Sequence, residues 1–268
     1  MQARIDDAAR WLAQRHTQRA GYAPLPGELR PAGVAEAYAV QDALVRHWCA
    51  DGDRVAGYKI ALTTPQMRRM VGFDDSIAGQ VLESRVDRSP AAIALAHAVH
   101  LGFECEIAFR IGRATDPAAP PGSREAMAQH IDAIAPAFEL IDDGGADYRQ
   151  FADDDGSTLV TLAADNAWNH GVVLGEWRSG WQVIDSDALV GIASIGGREV
   201  GRGQGRDVLG HPLDAMLWIA AHLAARGRGL SVGDFVITGS LVTTRFPAPD
   251  DEVAFALDGI GAVRMRMV

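Results

Sequence analysis

The segment Gly102-Phe-Glu-Cys-Glu-Ile-Ala-Phe-Arg-Ile111 constrains the fold more than any other stretch of the chain. Apolar side chains at Phe103, Cys105, Ile107 and Phe109 recur at a period of two, the pattern of a strand with one face against a core. The opposite face carries Glu104 and Glu106, roughly 7 Å apart at Cα from the strand rise. Two carboxylates so placed repel each other, and the pair reads in two ways. It is a solvent-facing acidic strand surface, common in an acidic protein, or part of a site where a divalent cation offsets the repulsion.

Other strands follow the same logic. Val55-Ala-Gly-Tyr-Lys-Ile-Ala-Leu62 and Ala135-Pro-Ala-Phe-Glu-Leu-Ile141 are two, and Gly171–Leu174, Ala188–Ile195 and Phe235–Thr238 are three more. Gly196-Gly197 reads as a hairpin turn into Arg198–Val200, and Asp258-Gly259 as another near the end. Ser123 is placed to cap a short helix. Pro212 suits the first turn of a later helix with a stripe of Leu213, Met216, Leu217, Ala220 and Leu223, and Gly227 suits its end. Before residue 50 the pattern is helical: Ile5, Ala8, Ala9 and Leu12 form one stripe, and Val34, Ala37, Tyr38, Leu44, Val45 and Trp48 a second. Strands dominate and do not alternate regularly with helices. The expected class is therefore α+β, a mixed roll or sandwich rather than a Rossmann or barrel pattern. An N-terminal helical cap over residues 1–72 would pack on a strand-rich core over 73–268.

Charge and cysteine content exclude several functions. A net charge of −10, with the cationic residues scattered, argues against a nucleic-acid surface. Two cysteines, Cys49 and Cys105, form no CxxC, which favours a reducing cytoplasm. The start of the chain is polar and acidic, unlike a signal peptide. The most apolar stretch, Ala91–Phe103, is interrupted by His97 and His100 and is too short for a membrane span.

Two further residues bear on the carboxylate pair. Glu139 sits in a wholly apolar segment, where a glutamate is an edge-strand outlier or a functional carboxylate, because a buried one needs partners. A third carboxylate would complete an all-oxygen site suited to Mg²⁺ or Mn²⁺ rather than Zn²⁺. Lys59 is the only lysine; the other 24 cationic residues are arginine. Where plain positive charge suffices this chain uses arginine, so the position that keeps lysine points to an amine whose pKa can move, as in a general acid or base. The bland alternative is chance. Gly201-Arg-Gly-Gln-Gly205 reads as a loop, not a dinucleotide fingerprint. Gly239-Ser240-Leu241 reads as a turn after a strand, able to offer a hydroxyl and backbone N–H groups to an anion.

In their order along the chain, several short segments resemble the 2-keto-4-pentenoate hydratase / 4-oxalocrotonate decarboxylase family of the fumarylacetoacetate hydrolase superfamily. They are Gly57–Thr63, Phe103–Ala108, Pro136–Leu140, Ala164-Asp-Asn-Ala167, Leu209–Leu213 and Gly233–Leu241. The resemblance implies that superfamily's strand-rich core, with a helical region before it. It implies Mg²⁺ or Mn²⁺ on Glu104, Glu106 and Glu139, Lys59 in the active site, and the Gly239-Ser240-Leu241 turn near a substrate carboxylate. It also implies a homo-oligomer acting on a small 2-oxo acid, with no nucleic-acid or membrane partner. The implied activity is a hydratase of aromatic-compound catabolism, converting a 2-hydroxy-dienoic or 2-oxo-enoic acid to a 4-hydroxy-2-oxo acid. A 4-oxalocrotonate-type decarboxylase, an acylpyruvate C–C hydrolase and an inactive metal-binding homologue are the alternatives. Two departures stand out. Ile77, in Ser76-Ile-Ala-Gly79, occupies the place where the family tends to have an aspartate, and Asp142-Asp-Gly-Gly145 lacks an arginine often found there.

Overall fold

The computed structural model describes residues 1–153 and 155–268, with 152 and 153 by their backbone. In chain order the strands are β1 (Val55–Ala61), β2 (Ile77–Leu82), β3 (Val86–Arg88), β4 (Ala91–Ile93), β5 (Leu101–Ile111), β6 (Ile131–Asp142), β7 (Asn169–Leu174), β8 (Arg178–Ser179), β9 (Val190–Ile195), β10 (Arg198–Gln204), β11 (Phe235–Arg245), β12 (Glu252–Leu257) and β13 (Gly261–Met267). The helices are α1 (Gln2–Gln18), α2 (Val34–Trp48), α3 (Pro65–Met70), α4 (Arg124–Ala128), α5 (Ser157–Ala164) and α6 (Pro212–Ala224). Local signals set several ends. The Ser123 hydroxyl accepts from the Ala126 N–H at the start of α4, and Pro212 opens α6.

Among the described residues, an eight-stranded sheet runs β2-β1-β11-β5-β6-β7-β3, with β8 paired to β6, and a five-stranded sheet runs β10-β9-β12-β13-β4. Pairing is antiparallel except at β1/β11, β3/β7 and β4/β13. β1, within the N-terminal 72 residues, is thus an inner strand of the larger sheet.

The alternation along β5 and β6 assigns the layers. Phe103, Cys105, Ile107, Phe109 and Phe138 pack toward the smaller sheet, where the Phe138 and Phe255 rings lie 6.4 Å apart. The other face holds a second, smaller core of Val81, Ala108, Ala135, Ala137, Val172, Leu174, Phe235 and Ile237. The larger sheet rolls around this core, and alanines on β5 and β6 leave the roll narrow. Asn166 closes it: its side chain accepts from the Gln80 N–H at 2.7 Å and donates to the Gln80 carbonyl at 2.8 Å, so it pairs with β2 like a strand residue. α1, α2 and α5 share a separate apolar cluster with Leu62, Ile77 and Trp168.

Two expectations change. Gly201–Gly205 is not a loop: Gly201 and Gly203 lie in β10 and face β11. A Cβ at Gly201 would sit 2.1 Å from Val242 Cγ1, and one at Gly203 1.9 Å from the Leu241 carbonyl oxygen. The glycines are there because β10 passes close over β11, against the Val242 side chain at Gly201 and the Leu241 backbone at Gly203, which reads in sequence as loop composition. Gly239-Ser240-Leu241 is not a turn either. It lies inside β11, where the pairing with β5 slips between Ile237 and Ser240 and again between Ser240 and Val242.

Candidate metal centre and substrate cavity

Strand register brings the carboxylates together. Glu104 on β5 lies opposite Glu139 on β6, and Glu106 is two residues along the same face. One oxygen from each of the three lies within 4.8 Å of the others. Glu106 and Glu139 are fully buried and Glu104 is half-buried. The cluster therefore faces the inside of the roll, and the solvent-facing reading of the pair is excluded.

Each carboxylate has one oxygen held by the protein. Glu106 Oε2 accepts from the Gly239 N–H at 2.6 Å. Glu139 Oε1 accepts from Asn169 Nδ2 at 2.9 Å and lies 3.2 Å from Lys59 Nζ. Glu104 Oε1 accepts from the Thr244 hydroxyl. The remaining oxygens of the buried pair, Glu106 Oε1 and Glu139 Oε2, have no hydrogen-bond partner among the described residues. A buried carboxylate oxygen left bare costs free energy that a folded protein normally recovers. Three carboxylates with free oxygens on one face form the donor set that a hard divalent cation takes.

The electrostatics agree. Burial, together with Glu139 and Glu104, pushes Glu106 well above the ordinary carboxylate range, against the pull of Lys59. Burial also raises Glu139, to about 7, although Lys59 and Asn169 oppose it. For Lys59, burial disfavours the ammonium, but Glu139, Glu104 and Glu106 outweigh it and hold the amine above its usual value. Burial thus favours the protonated forms of Glu106 and Glu139, and a cation would compete with those protons.

The bulge in β11 makes this geometry possible. Gly239 has φ +116°, and a Cβ there would lie 2.6 Å from the Thr63 side chain. Only glycine accepts both the backbone and the contact, and the twist turns its N–H from the ladder to Glu106. The Ser240 hydroxyl donates to the Val242 carbonyl at 2.6 Å and accepts from the Cys105 N–H at 3.1 Å. Ser240 and Leu241 both line a cavity of about 510 Å³, as do Lys59 and Glu104. Its other walls are largely apolar, with Met67, Met70, Phe151, Trp168 and Phe246 among them.

Several residues here carried no readable signal. Asn169 and Thr244 are single polar residues in unremarkable segments, yet they orient Glu139 and Glu104. Tyr148 also lines the cavity and donates to Asp143 at 2.8 Å, which in turn lies 2.7 Å from His100 Nδ1. Ile77 is fully buried opposite Ala61, in the apolar cluster with the N-terminal helices. No carboxylate enters the site from that position. Cys49 and Cys105 are both free thiols. No helix among the described residues is long and apolar enough to cross a membrane.

A rolled sheet packed on a smaller one, with three inward glutamates from neighbouring strands, defines the class, and sequence comparison places it: the chain belongs to the fumarylacetoacetate hydrolase family, whose C-terminal domain model matches residues 64–268. Among its relatives, the 2-keto-4-pentenoate hydratase of Paraburkholderia xenovorans strain LB400 is 29% identical over 260 residues, 97% of this chain and 93% of that protein. A 4-oxalocrotonate decarboxylase of a Pseudomonas species is 30% identical over 230 residues, 86% of this chain and 85% of that one. The structure of 4-oxalocrotonate decarboxylase from Pseudomonas putida G7, complexed with magnesium and adipate, superposes with a TM-score of 0.90. That match covers 100% of this chain and 98% of that one at 23% identity, and it shows a shared fold. Lys59 lies upstream of the region matched by the family model, so its place beside the glutamates rests on the structure.

Proposed function

We propose that the protein is a metal-dependent lyase, a hydratase that converts a 2-hydroxy-dienoic or 2-oxo-enoic acid to a 4-hydroxy-2-oxo acid. The observation that carries this reading is the pair of buried, unpartnered oxygens, Glu106 Oε1 and Glu139 Oε2, beside Glu104 and the only lysine. Glu104, Glu106 and Glu139 would hold Mg²⁺ or Mn²⁺. Once bound, the cation supplies a Lewis acid for the 2-oxygen and carboxylate of the substrate. The protein supplies the rest. Lys59, an ammonium beside Glu139, would give up a proton as the dienol ketonises and, as the amine, recover one from the water that adds at the conjugate carbon. Gly239-Ser240-Leu241 would border the acid end of the substrate. The apolar walls exclude bulk water and orient the chain.

Decarboxylation remains the second reading, because relatives at similar identity carry that name. It shares the first half of the chemistry and ends in loss of CO₂. The two separate in one assay. A panel of 2-hydroxy-2,4-dienoates and 4-oxalocrotonate is followed for loss of the dienol absorbance and for CO₂. Activity should vanish with a chelator and return with Mg²⁺ or Mn²⁺. Turnover that survives complete chelation would sink the reading. We infer also a cytoplasmic homo-oligomer, at least a dimer, on the family resemblance; a monomer mass by light scattering at micromolar concentration would count against it.

A further inference from the structure

The lining of the cavity points to a narrower substrate class. Resting on the activity proposed above, we infer that the substrate carries one carboxylate only, at the end beside Lys59 and Glu104, and an apolar substituent at the other. The argument is a census of charge. Among the described residues that line the cavity, Lys59 is the only cation, and it already lies 3.2 Å from Glu139. No arginine and no histidine contributes to the wall. The charged groups that do, apart from Lys59, are the carboxylates Glu104 and Asp207.

A second carboxylate on the substrate would therefore leave water for a wall with no cation to receive it and with like charge present. Neutral donors do not repair this. The Tyr148, Ser240 and Thr244 hydroxyls already donate to Asp143, the Val242 carbonyl and Glu104, and the neutral donors left in the wall, such as the Thr64 hydroxyl and the Gln66 amide, are weak substitutes for a guanidinium. Arg68, the neighbouring cation on α3, donates to the Leu62 carbonyl at 3.0 Å and does not line the cavity.

The apolar part of the wall is built for the opposite partner. Met67 and Met70 come from α3, Leu162 from α5, and Phe151, Trp168 and Phe246 complete it. Unbranched methionines adapt to ligands of different shape. The volume, about 510 Å³, falls in the ordinary range for small-molecule sites and exceeds the needs of a short 2-oxo acid. An alkyl or aryl tail would fill what such an acid leaves open.

The test uses the full chain with Mg²⁺ and two parallel series. In the first, kcat/KM is measured for 2-hydroxy-2,4-dienoates bearing hydrogen, methyl, ethyl, phenyl or carboxylate at the far end. It should rise about fourfold per added methylene, the equivalent of ~0.8 kcal/mol. The phenyl compound should be turned over, and the carboxylate compound should fall on the order of 100-fold below the methyl one. In the second, binding of 2-oxohexanoate and 2-oxoadipate is compared by calorimetry, with the monocarboxylate expected to be at least about tenfold tighter. Preference for the second carboxylate in either series would overturn the inference. If no dienoate is turned over but 2-oxohexanoate still wins, the inference stands and the proposed activity falls. If dienoates are turned over and the dicarboxylate is preferred, the activity stands and the inference falls.

Discussion

Lys59 illustrates how far a single residue can be read. Its uniqueness in the composition marked it for chemistry, and burial beside Glu139 is consistent with that. The direction of its pKa was not readable, because burial and three carboxylates act in opposite senses and only their distances decide. Replacement by arginine keeps the charge but removes an amine able to exchange a proton. Lys59→Arg is expected to lower kcat by on the order of 10²–10⁴ while metal affinity stays within a few-fold. Steady-state kinetics beside a metal titration check this, and near-full turnover would reduce Lys59 to a structural ion pair. Glu139 was singled out by its apolar neighbours. Its direct opposition to Glu104 is a matter of strand register, which the sequence does not print.

The same residues set a pH dependence. The folded-state values of Glu106 and Glu139 lie above those of an unfolded glutamate, Glu139 at about 7. Groups raised in this way contribute stability that is fully present at low pH, below the unfolded value. It is lost as pH rises through the folded value. The metal-free protein should therefore lose stability between pH 5 and 8, on the order of a few kcal/mol. Lys59, also raised, loses its contribution only above the ordinary lysine range, outside this window. Because the cation competes with protons, its stabilisation should grow over the same window. Thermal melts with and without Mg²⁺ at several pH values measure both; a metal-free protein equally stable at pH 5 and 8 would contradict it.

At the scale of elements, periodicity found the amphipathic ones, and apolar runs found the buried stretches of β6 and β7, but two wholly buried elements, α5 and β2, were missed. β5 and the helices α1, α2 and α6 each have a face that alternates or repeats, so periodicity found them. All eight residues of α5 are buried, and all six of β2, so neither shows a polar face to set a period. β11 was cut short because Gly239-Ser240 has the composition of a turn. The glycine instead allows a bulge that aims one N–H at Glu106. Gly239→Ala combines a left-handed backbone with a 2.6 Å contact to Thr63. It should destabilise by roughly 1–3 kcal/mol and weaken metal binding, because Glu106 then loses its donor. Chemical denaturation and a metal titration would show both effects, and a neutral outcome would mean that the bulge does not position Glu106.

For the whole molecule, the α+β class followed from strands that do not alternate with helices. The mixed roll or sandwich was expected with it; what the sequence did not show is how the roll closes, which depends on alanines inside β5 and β6 and on Asn166 standing in for a strand residue. That architecture turns three glutamates into one cluster: neighbouring strands of a curled sheet point inward side chains at the same volume, and the apolar core of the roll fills the rest. The helices α1, α2 and α5 form a second apolar body, which contributes Leu162 to the cavity wall. Sequence showed the three carboxylates and the lysine; it did not show Asn169, Thr244 or Tyr148, which act through position rather than pattern.

The central claim is that Glu104, Glu106 and Glu139 together bind one divalent cation, and a calorimetric titration of Mn²⁺ at pH 8 into the wild-type chain and into Glu106→Gln tests it most directly. The amide keeps an oxygen for the Gly239 N–H and relieves charge repulsion in a fully buried cluster, so the variant should fold. The account predicts one Mn²⁺ per wild-type chain and an affinity lower by on the order of 100-fold or more in the folded variant. Equal stoichiometry and affinity in the two proteins would contradict it.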